Sequence, residues 1–387
     1  MPKWGETGTV SPAGTPPLRV GTRGSALATT QSGHVARRLE ELTGRDVELV
    51  RVRTDGDVLT GSLAQMGGTG VFVTALREAL LDGRCDVAVH SLKDLPTEPA
   101  PGLTVVTPER ENPRDVLCAR GGLTITTLPR GARVGTGSPR RAAQLRSVRP
   151  DLDVVDIRGN VDTRLARALG PDADLDAVVL AYAGLARLGR LDAVSEVVDT
   201  AIMAPAAGQG ALAVEVRTAS LDDPVLARAL HDLDHEPTRL AVLAERSLLA
   251  RLEAGCAAPV GAHALVEDGE VVLTAVVARV DGVEQLTHSG RTAVPVGASS
   301  QDARDDAARA LGVRVADALL ADGAARLAPL RETGSGPGAG AESGTVTGTA
   351  PATTRQATDA DAVPSPDRAV ETAREQLRDG GYRGEAE

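Results

Sequence analysis

Short apolar runs alternate with longer amphipathic segments from about residue 18 onward. The run Leu18 to Thr22 is followed by a Gly24-Ser25 turn and then by apolar residues at helical spacing through about Leu42, which predicts a strand followed by a helix. Further short apolar runs lie at 47–52, 86–89, 103–107, 133–135, 154–157 and 177–180. Because Gly, Pro or Asp turns bound most of these runs and helical segments follow them, the pattern predicts an α/β sheet with helices on both faces.

The pattern changes after about Pro224. A helical segment at 237–252 precedes three apolar runs at 260–266, 271–280 and 283–290, and Asp-Gly pairs stand at 268–269 and 281–282 between them. Asp-Gly between apolar runs is a strong signal of a tight hairpin turn. We therefore expect a smaller α+β domain, with a three-stranded antiparallel sheet and a closing helix near 301–322.

The chain is acidic and poor in aromatic residues. Its net charge is −11, and aromatic residues make up 1% of it although 42% of its residues are hydrophobic. An acidic chain lacks the basic excess that attracts nucleic acid or a membrane surface, and scarce aromatic residues offer few platforms for base stacking. We therefore expect no nucleic-acid partner and no membrane partner.

Three cysteines, Cys85, Cys118 and Cys256, lie far apart in the sequence. Without a CxxC pair or an even set, neither a disulfide scaffold nor a metal cluster is favoured, and we expect no metal. No apolar segment resembles a signal peptide, and no run approaches the roughly 18 apolar residues of a membrane span. These features predict a cytoplasmic protein.

Lys93 is one of only two lysines among 42 basic residues, and it stands beside Asp94 just after an apolar run. Lysine is a compact charge whose pKa moves readily on burial, whereas arginine is a planar fork that stays charged, so the two are poor substitutes at a chemical site. Lys93 could therefore be a Schiff-base amine, a charge for a ligand carboxylate or a residue of a solvated turn.

Arginines recur where predicted strands give way to helices. The stretch Val134 to Arg141, VGTGSPRR, places two arginines in the first turn of a helix, where cations oppose the helix dipole and a bound anion would explain them. Similar placements predict a site for a polyanionic ligand beyond the strand ends; they are Arg23, Arg158, Arg164 and Arg187.

Two loops hold further candidates. Cys256 follows the helix-ending Gly255, and the six histidines show no motif that would make it a Cys–His nucleophile, whereas an attachment point needs no basic partner. The glycine-rich loop 66–71 precedes Phe72, the single phenylalanine of the chain. Glycine-rich loops ahead of a helix can act as lids over a cleft.

Together these stretches resemble the porphobilinogen deaminase family, also called hydroxymethylbilane synthases. The matching segments run in order from about residue 18 to 330 and include RVGTRGSALA at 19–28, GGTGVF at 67–72, DVAVHSLKDLP at 86–96, VGTGSPRRAAQL at 134–145, RGNVDTRL at 158–165, AGLARLG at 183–189, PAAGQGALAVE at 205–215 and LEAGCAAPVG at 252–261. The two ends of the chain lie outside this resemblance.

The resemblance implies two doubly wound α/β domains like the halves of periplasmic binding proteins, and a small α+β C-terminal domain. We expect domain 1 at 18–108 plus 211–227, domain 2 at 109–210 and domain 3 at 228–330. Residues 1–17 and 331–387 are rich in Gly, Pro, Thr and Ser and are predicted to be disordered, since such segments cannot bury enough apolar surface to offset their ordering entropy.

The resemblance also implies a transferase of haem biosynthesis. Such an enzyme deaminates four porphobilinogen molecules, joins them head to tail into hydroxymethylbilane and releases ammonia. A dipyrromethane cofactor would be attached to Cys256 through a thioether, and we expect a monomer with Phe72 in its lid. Residues expected to bind cofactor or substrate are Arg23, Ser25, Ser91, Lys93, Thr136, Ser138, Arg140, Arg141, Arg158, Arg164 and Arg187.

Asp94 is the expected catalytic residue, because a carboxylate near the pyrrole N–H groups would stabilise the cation left when ammonia departs and could shuttle protons. One departure from the family concerns the lid, where relatives have lysines and this chain has Gln65 and Thr69. Two other hypotheses stay open: a binding module for a dicarboxylate, and a Schiff-base enzyme built on Lys93.

Overall fold

The computed structural model of the chain describes residues 16–52, 70–255, 258–294, 300–328 and 330, without the side chains of residues 71 and 72. The strands are β1 Leu18–Thr22, β2 Val47–Arg51, β3 Val87–Ser91, β4 Leu103–Val106, β5 Asp115–Ala119, β6 Arg133–Gly135, β7 Asp153–Val155, β8 Ala177–Ala181, β9 Glu196–Val197, β10 Leu212–Arg217, β11 Val260–Glu267, β12 Glu270–Ala278 and β13 Gln285–Ala293. The helices are α1 Ala26–Thr43, α2 Gly70–Leu81, α3 Pro139–Val148, α4 Val161–Leu169, α5 Tyr182–Arg187, α6 Pro224–Leu233, α7 Glu236–Arg251 and α8 Gln301–Ala321.

Two five-stranded sheets share one topology. Their strand orders are β2-β1-β3-β10-β4 and β7-β6-β8-β5-β9. In each sheet the first three strands are parallel and the fourth is antiparallel to both of its neighbours. The chain passes from the first sheet to the second between β4 and β5, and returns between β9 and β10. Two crossover segments, residues 107–114 and 198–211, therefore join the two units.

Each sheet is covered by helices on both faces, as predicted. Along β5, Val116 and Cys118 pack toward α4, whereas Leu117 and Ala119 pack toward α3. This alternation follows from the two-residue period of a strand. Around the first sheet, α1 and α6 pack on one face and α2 on the other. The doubly wound fold class is therefore confirmed.

The third sheet is the predicted antiparallel meander, in the order β11-β12-β13. Asp268 and Gly269 both have positive φ angles, 49° and 77°, as a hairpin turn of this kind requires. Helices α7 and α8 pack against the sheet. The predicted small α+β unit is thus confirmed.

Strands β5, β9 and β10 were absent from the predicted runs. In β10 the run is broken by Glu215, which is fully buried. The carboxylate pairs with Arg77 at 2.8 Å, and Nε2 of His90 on the neighbouring strand lies 3.0 Å from it. Burial would raise the pKa of Glu215, yet His90 and Arg77 hold it below its usual value. Strand pairing therefore supplies the partners that allow a charge inside this sheet.

The expected boundary between domains 1 and 3 lies near α6. The start of domain 3 at residue 228 falls inside α6, whose buried residues Leu226, Ala229, Leu230 and Leu233 all pack in the core of the first sheet. A helix cannot be divided between two cores when its apolar stripe faces only one of them. We propose that domain 3 begins at the α6–α7 junction, near residue 235.

Glu245 of α7 lies where the third unit meets the two crossover segments, and its side chain is fully buried. Its carboxylate accepts hydrogen bonds from Arg110 at 2.7 Å, from Gly208 N at 2.6 Å and from Ala264 N at 2.7 Å. Arg110 and Gly208 belong to the two crossover segments and Ala264 to β11. One carboxylate therefore joins the third unit to both crossover segments.

Candidate active site

Ligands of open α/β sheets bind beyond the carboxyl ends of the strands, so we expect these ends of the two large sheets to define a cleft. The turn after β3 lies at one such end. Leu92, Lys93 and Asp94 make a single 3-10 turn directly after Ser91. Leu92 and Leu95 are buried and anchor the turn. Between them, Asp94 is half-buried and Lys93 is exposed to solvent.

Lys93 faces charges from the second sheet. Lys93 is an exposed residue, and desolvation lowers the pKa of its ammonium. The positive charges of Arg141 and Arg140 lower the pKa further, whereas Asp94 and Asp115 oppose the shift. The crossover segment 198–211 links this turn to the second sheet, because Leu92 N donates to Ala211 O at 3.0 Å and Gln209 Nε2 donates to Asp115 at 2.8 Å.

The opposite wall begins at the N-terminus of α3. Ser138 caps this helix, its Oγ accepting a hydrogen bond from Arg141 N at 3.5 Å, and Pro139 is the first helical residue. Thr136 precedes the cap and is buried, with its Oγ1 accepting from Ser138 N at 3.3 Å. A Ser cap followed by Pro is a favoured helix start.

Arg140 and Arg141 are buried at this helix N-terminus and share Asp115. Arg140 lies 2.8 Å from one carboxylate oxygen and Arg141 2.8 Å from the other. Burial would raise the pKa of Asp115, yet the two guanidinium groups lower it to about 2. The predicted reason for two cations at a helix N-terminus was a bound anion, whereas the structure supplies a carboxylate of the chain itself.

Gln209 completes this cluster from the second crossover segment. Its Nε2 donates to Asp115 at 2.8 Å and to the carbonyl of Pro113 at 2.6 Å. The guanidinium group of Arg141 donates to Asp115, to Val179 O and to Oε1 of Gln209. Arg140 keeps a buried Nε that has no hydrogen-bond partner among the described residues.

Arg158 and Arg164 flank the loop between β7 and α4. Arg158 is exposed and pairs with Asp156 at 3.2 Å. Arg164 donates to Gly159 O at 2.8 Å, and no ion pair to it is found in the described part of the chain. Burial lowers the pKa of Arg164, and the charges of Arg141 and Arg158 lower it further. Arg164 therefore contributes positive charge that no carboxylate of the described residues directly neutralises.

Three predicted residues stand at the ends of β1 and β3. Arg23 follows β1 and is half-buried, and Ser25 is exposed and caps α1 through a hydrogen bond from Ala28 N at 3.3 Å. Ser91 ends β3 and pairs with the side chain of Gln31 at 3.1 Å. Gln31 is buried on α1, so this pair joins the first helix to the turn that contains Asp94.

Arg187 lies apart from the other cations, at the C-terminal end of α5. It donates to Gly210 O in the second crossover segment at 2.5 Å, and burial lowers its pKa while Glu111 opposes the shift. It lines a cavity of about 640 Å³ together with His34. Its predicted role in substrate binding stays a prediction.

Two predicted residues cannot be located in this cleft. Cys256 lies outside the described residues, which end at Gly255 and resume at Ala258. Phe72 falls within α2, but its side chain is outside the described set, as is the glycine-rich stretch 66–69 before it. The attachment point and the lid therefore remain predictions.

Asp115, Gln209 and Gln31 were not among the residues predicted from the sequence. Asp115 begins an apolar strand, and an isolated Asp before such a run usually marks a turn. Only the pairing of β5 with β8 brings it beside the arginines of α3. For Gln31 a weak signal existed, because it falls among apolar positions of the helical pattern.

The donors of the cleft fit a ligand that carries several carboxylates. Lys93 is exposed, and Arg164 donates to a main-chain carbonyl. The buried Nε of Arg140 has no hydrogen-bond partner among the described residues. A buried donor without a partner is costly, and guanidinium groups match carboxylates geometrically. Within the described residues, no group of three or more His, Cys, Asp or Glu could hold a metal ion, and no described helix is both long and apolar enough to span a bilayer.

Comparison with known proteins identifies two matching family models. The model "Porphobilinogen deaminase, dipyromethane cofactor binding domain" matches residues 18–223, and the model of the porphobilinogen deaminase C-terminal domain matches 239–321. Porphobilinogen deaminase of Leifsonia xyli is 58% identical over 317 residues, covering 81% of this chain and 95% of the relative. The enzyme of Micrococcus luteus is 51% identical over 354 residues, covering 80% and 93%.

Solved structures give more distant similarity. A Candida albicans protein with the generic periplasmic binding protein fold has a TM-score of 0.31 and 14% identity, covering 56% of this chain and 70% of that one. Protein PG110 of Staphylococcus aureus has a TM-score of 0.33 and 15% identity, covering 59% and 91%. The fold assignment depends on the strand topology and not on these scores.

Proposed function

The chain belongs to the porphobilinogen deaminase family, and from that premise we propose that it deaminates four porphobilinogen molecules, joins them head to tail into hydroxymethylbilane and releases ammonia. It is a transferase of porphyrin biosynthesis. The observation that supports the detailed proposal is the chain of contacts from the Lys93-Asp94 turn to the arginines of α3. Leu92 N donates to Ala211 O, Gln209 of the same crossover segment donates to Asp115, and Asp115 pairs with Arg140 and Arg141.

We propose a dipyrromethane cofactor held by a thioether to Cys256, and the name of the matching family model supports such a cofactor. When bound, this group supplies the terminal pyrrole to which the substrate units are added. Each pyrrole ring carries an acetate and a propionate, so the ligand's negative charge grows with every unit. Arg140, Arg164 and Lys93 would hold these carboxylates by charge-assisted hydrogen bonds. We propose the same role for Arg23, Arg141, Arg158 and Arg187, and neutral hydrogen bonds from Ser25, Ser91, Thr136 and Ser138.

Asp94 is the proposed catalytic residue. As the pyrrole nitrogen of an incoming porphobilinogen donates electrons, the C–N bond of its aminomethyl group breaks and ammonia leaves. The cofactor, when bound, would supply the free α-carbon that adds to the remaining cationic methylene carbon and then releases its proton. The Asp94 carboxylate would accept a hydrogen bond from the pyrrole N–H, stabilise the positive charge and receive that proton.

Mass spectrometry tests the cofactor. The intact protein should exceed the mass of the bare chain by two pyrrole units, and peptide mapping should locate the excess on the peptide with Cys256. Peptides with Cys85 and Cys118 serve as internal controls, because both thiols are buried and burial raises the pKa of each. Cys256→Ser should lack the adduct. An active wild-type protein with the mass of the bare chain would exclude the proposed cofactor.

Turnover tests Asp94. Asp94→Asn should retain the fold and the adduct and lose roughly 100-fold or more in kcat, the scale of a lost electrostatic stabiliser at a reacting centre. Asp82→Asn is the matched control, because Asp82 is exposed and pairs only loosely with Arg84 at 3.5 Å. Near-normal turnover of Asp94→Asn would remove Asp94 from the proposed role.

The lowered pKa of Lys93 favours a second candidate, a Schiff-base reaction. A lysine whose pKa is lowered by desolvation is a better nucleophile at neutral pH. A Schiff base needs an aldehyde or ketone carbon, which porphobilinogen lacks, so this candidate requires a different substrate. Borohydride treatment in the presence of a small keto acid should trap a secondary amine on Lys93 if this candidate is correct. We expect no trapped adduct, since a charged Lys93 suits a pyrrole carboxylate.

We further propose that the enzyme is a cytoplasmic monomer. The two described cysteines are free thiols, which suits a reducing compartment. Sedimentation of the purified protein should give the mass of one chain, and a stable dimer would contradict the proposal.

A further inference from the structure

The Lys93-Asp94 turn is held from behind by a guanidinium group of the third unit. Arg246 of α7 donates to the carbonyl oxygens of Leu92 at 3.2 Å, of Leu95 at 2.9 Å and of Pro96 at 2.5 Å. These three carbonyls belong to the 3-10 turn and to the two residues after it. One side chain therefore fixes both ends of the segment that presents Asp94 to the cleft.

Helix α7 presents different faces to two neighbours. Leu240, Ala244 and Leu248 pack in the core of the third unit. On another face, Val242 packs with Leu92 and Leu95 in a small separate core, and Arg246 lies one helical turn further along. Residues four apart occupy one side of a helix, so Val242 and Arg246 together cover the turn.

The contacts of Arg246 are unusual for a half-buried cation. No ion pair to Arg246 is found among the described residues, and its observed acceptors are main-chain carbonyls. Burial lowers its pKa to about 10. Desolvating a guanidinium without a carboxylate partner is costly, and an apolar residue would fill the same space. Because three carbonyl oxygens of one short segment converge on this guanidinium group, we infer that the role of Arg246 is to hold that segment in place.

We propose that Arg246 is a positioning residue that holds Asp94 at a set place relative to the end of α7. Helix α7 itself ends at Arg251, and Cys256 follows it in the sequence. This inference rests on the proposed function. Displacements of about 1 Å at a reacting centre can cost about 100-fold in rate, so loss of this contact should act on kcat.

Arg246→Met is the informative variant, because methionine keeps most of the aliphatic stem and removes the donors. We expect the fold and the cofactor adduct to be retained, kcat to fall about 30-fold and KM to change less than about threefold. Arg246→Lys should recover part of the loss, because an ammonium offers three donors but no planar fork. Arg309→Met is the control, since Arg309 is a surface residue of α8 that pairs with Asp306.

Hydrogen exchange gives a readout that does not depend on turnover. Leu92 N donates to Ala211 O at 3.0 Å and Leu95 N to Leu92 O at 3.1 Å. If Arg246 holds the turn, the peptide covering residues 91–97 should exchange faster in Arg246→Met than in the wild type, while peptides from β11 and β12 should not change. Arg309→Met should leave the turn peptide unchanged.

The outcomes separate this inference from the proposed function. An unmodified and inactive wild-type protein would overturn the proposed function, and the exchange of the turn peptide would still test Arg246. Unchanged exchange of residues 91–97 in Arg246→Met would overturn the inference whatever the activity. Loss of the adduct in step with kcat would also overturn it, because Arg246 would then act in cofactor attachment. If Arg246→Met does not fold, Arg246→Lys must show the intermediate kcat, and wild-type kcat would contradict the role.

Discussion

Asp115→Asn should destabilise the second α/β unit in a pH-dependent manner. The substitution is nearly isosteric and removes the one carboxylate that Arg140 and Arg141 share, at 2.8 Å from each. Both arginines are buried. Removing one partner of a buried ion pair typically costs about 3–5 kcal/mol, because the remaining charge is left uncompensated.

The pKa of Asp115 gives a second measure of the same interaction. Burial opposes ionisation, yet the arginines lower the pKa from 3.8 to about 2. At about 1.4 kcal/mol for each pKa unit, ionised Asp115 contributes about 2 kcal/mol to the free energy of unfolding near neutral pH. Because the folded-state pKa is the lower one, this contribution is present above pH 3.8 and is lost as the pH falls toward 2.

Native-state hydrogen exchange of peptides from β5 and α3 measures the free energy of opening of the second α/β unit. A local measurement is needed because a chain of several units need not unfold in a single two-state transition. The free energy of opening should be lower in Asp115→Asn than in the wild type. This difference should stay constant from pH 8 to 5 and become smaller by roughly 1 kcal/mol by pH 3. Asp174→Asn is the control, since Asp174 is exposed and pairs with Arg167 at the surface. If the difference in opening free energy is below about 1 kcal/mol at pH 7, or does not change with pH, the ion pairs of Asp115 do not stabilise this unit as proposed.

Three further substitutions test other parts of the site. Glu245→Gln should destabilise the protein by about 3 kcal/mol or more, because Arg110 loses its buried partner; a midpoint of urea unfolding equal to wild type would contradict this. Gly210→Ala should cost about 2 kcal/mol or more, since Gly210 has φ +89° and an added Cβ would lie 2.3 Å from Glu111 O; unchanged thermal stability would argue against that strain. Lys93→Gln should raise KM about tenfold with a smaller change in kcat, and steady-state kinetics with an unchanged KM would remove Lys93 from carboxylate binding.

Much of the architecture followed from the sequence. Short apolar runs followed by helical segments predicted an α/β sheet with helices on both faces, and Asp-Gly pairs predicted the antiparallel meander. Burial of a strand and a positive φ in a tight turn are local requirements that residue types report directly. The cap of α3 by Ser138 is local in the same sense. These elements needed no knowledge of distant partners.

The partners of buried charges could not be obtained in that way. Glu215 breaks the run of β10, and only strand pairing places it beside His90. Asp115 reaches Arg140 because β5 inserts next to β8 after a crossover of the chain. The boundary near residue 235 likewise depends on which core α6 covers.

The sequence alone determined the alternation of strands and helices, the scarcity of lysine that singled out Lys93, and the family resemblance that pointed to Asp94 and Cys256. Tertiary structure decided which charges neutralise one another, which carbonyls Arg246 holds and which residues join the three sheets. The physical reason is that propensity and periodicity act over a few residues, whereas the desolvation of a charge depends on atoms that the fold brings from distant positions.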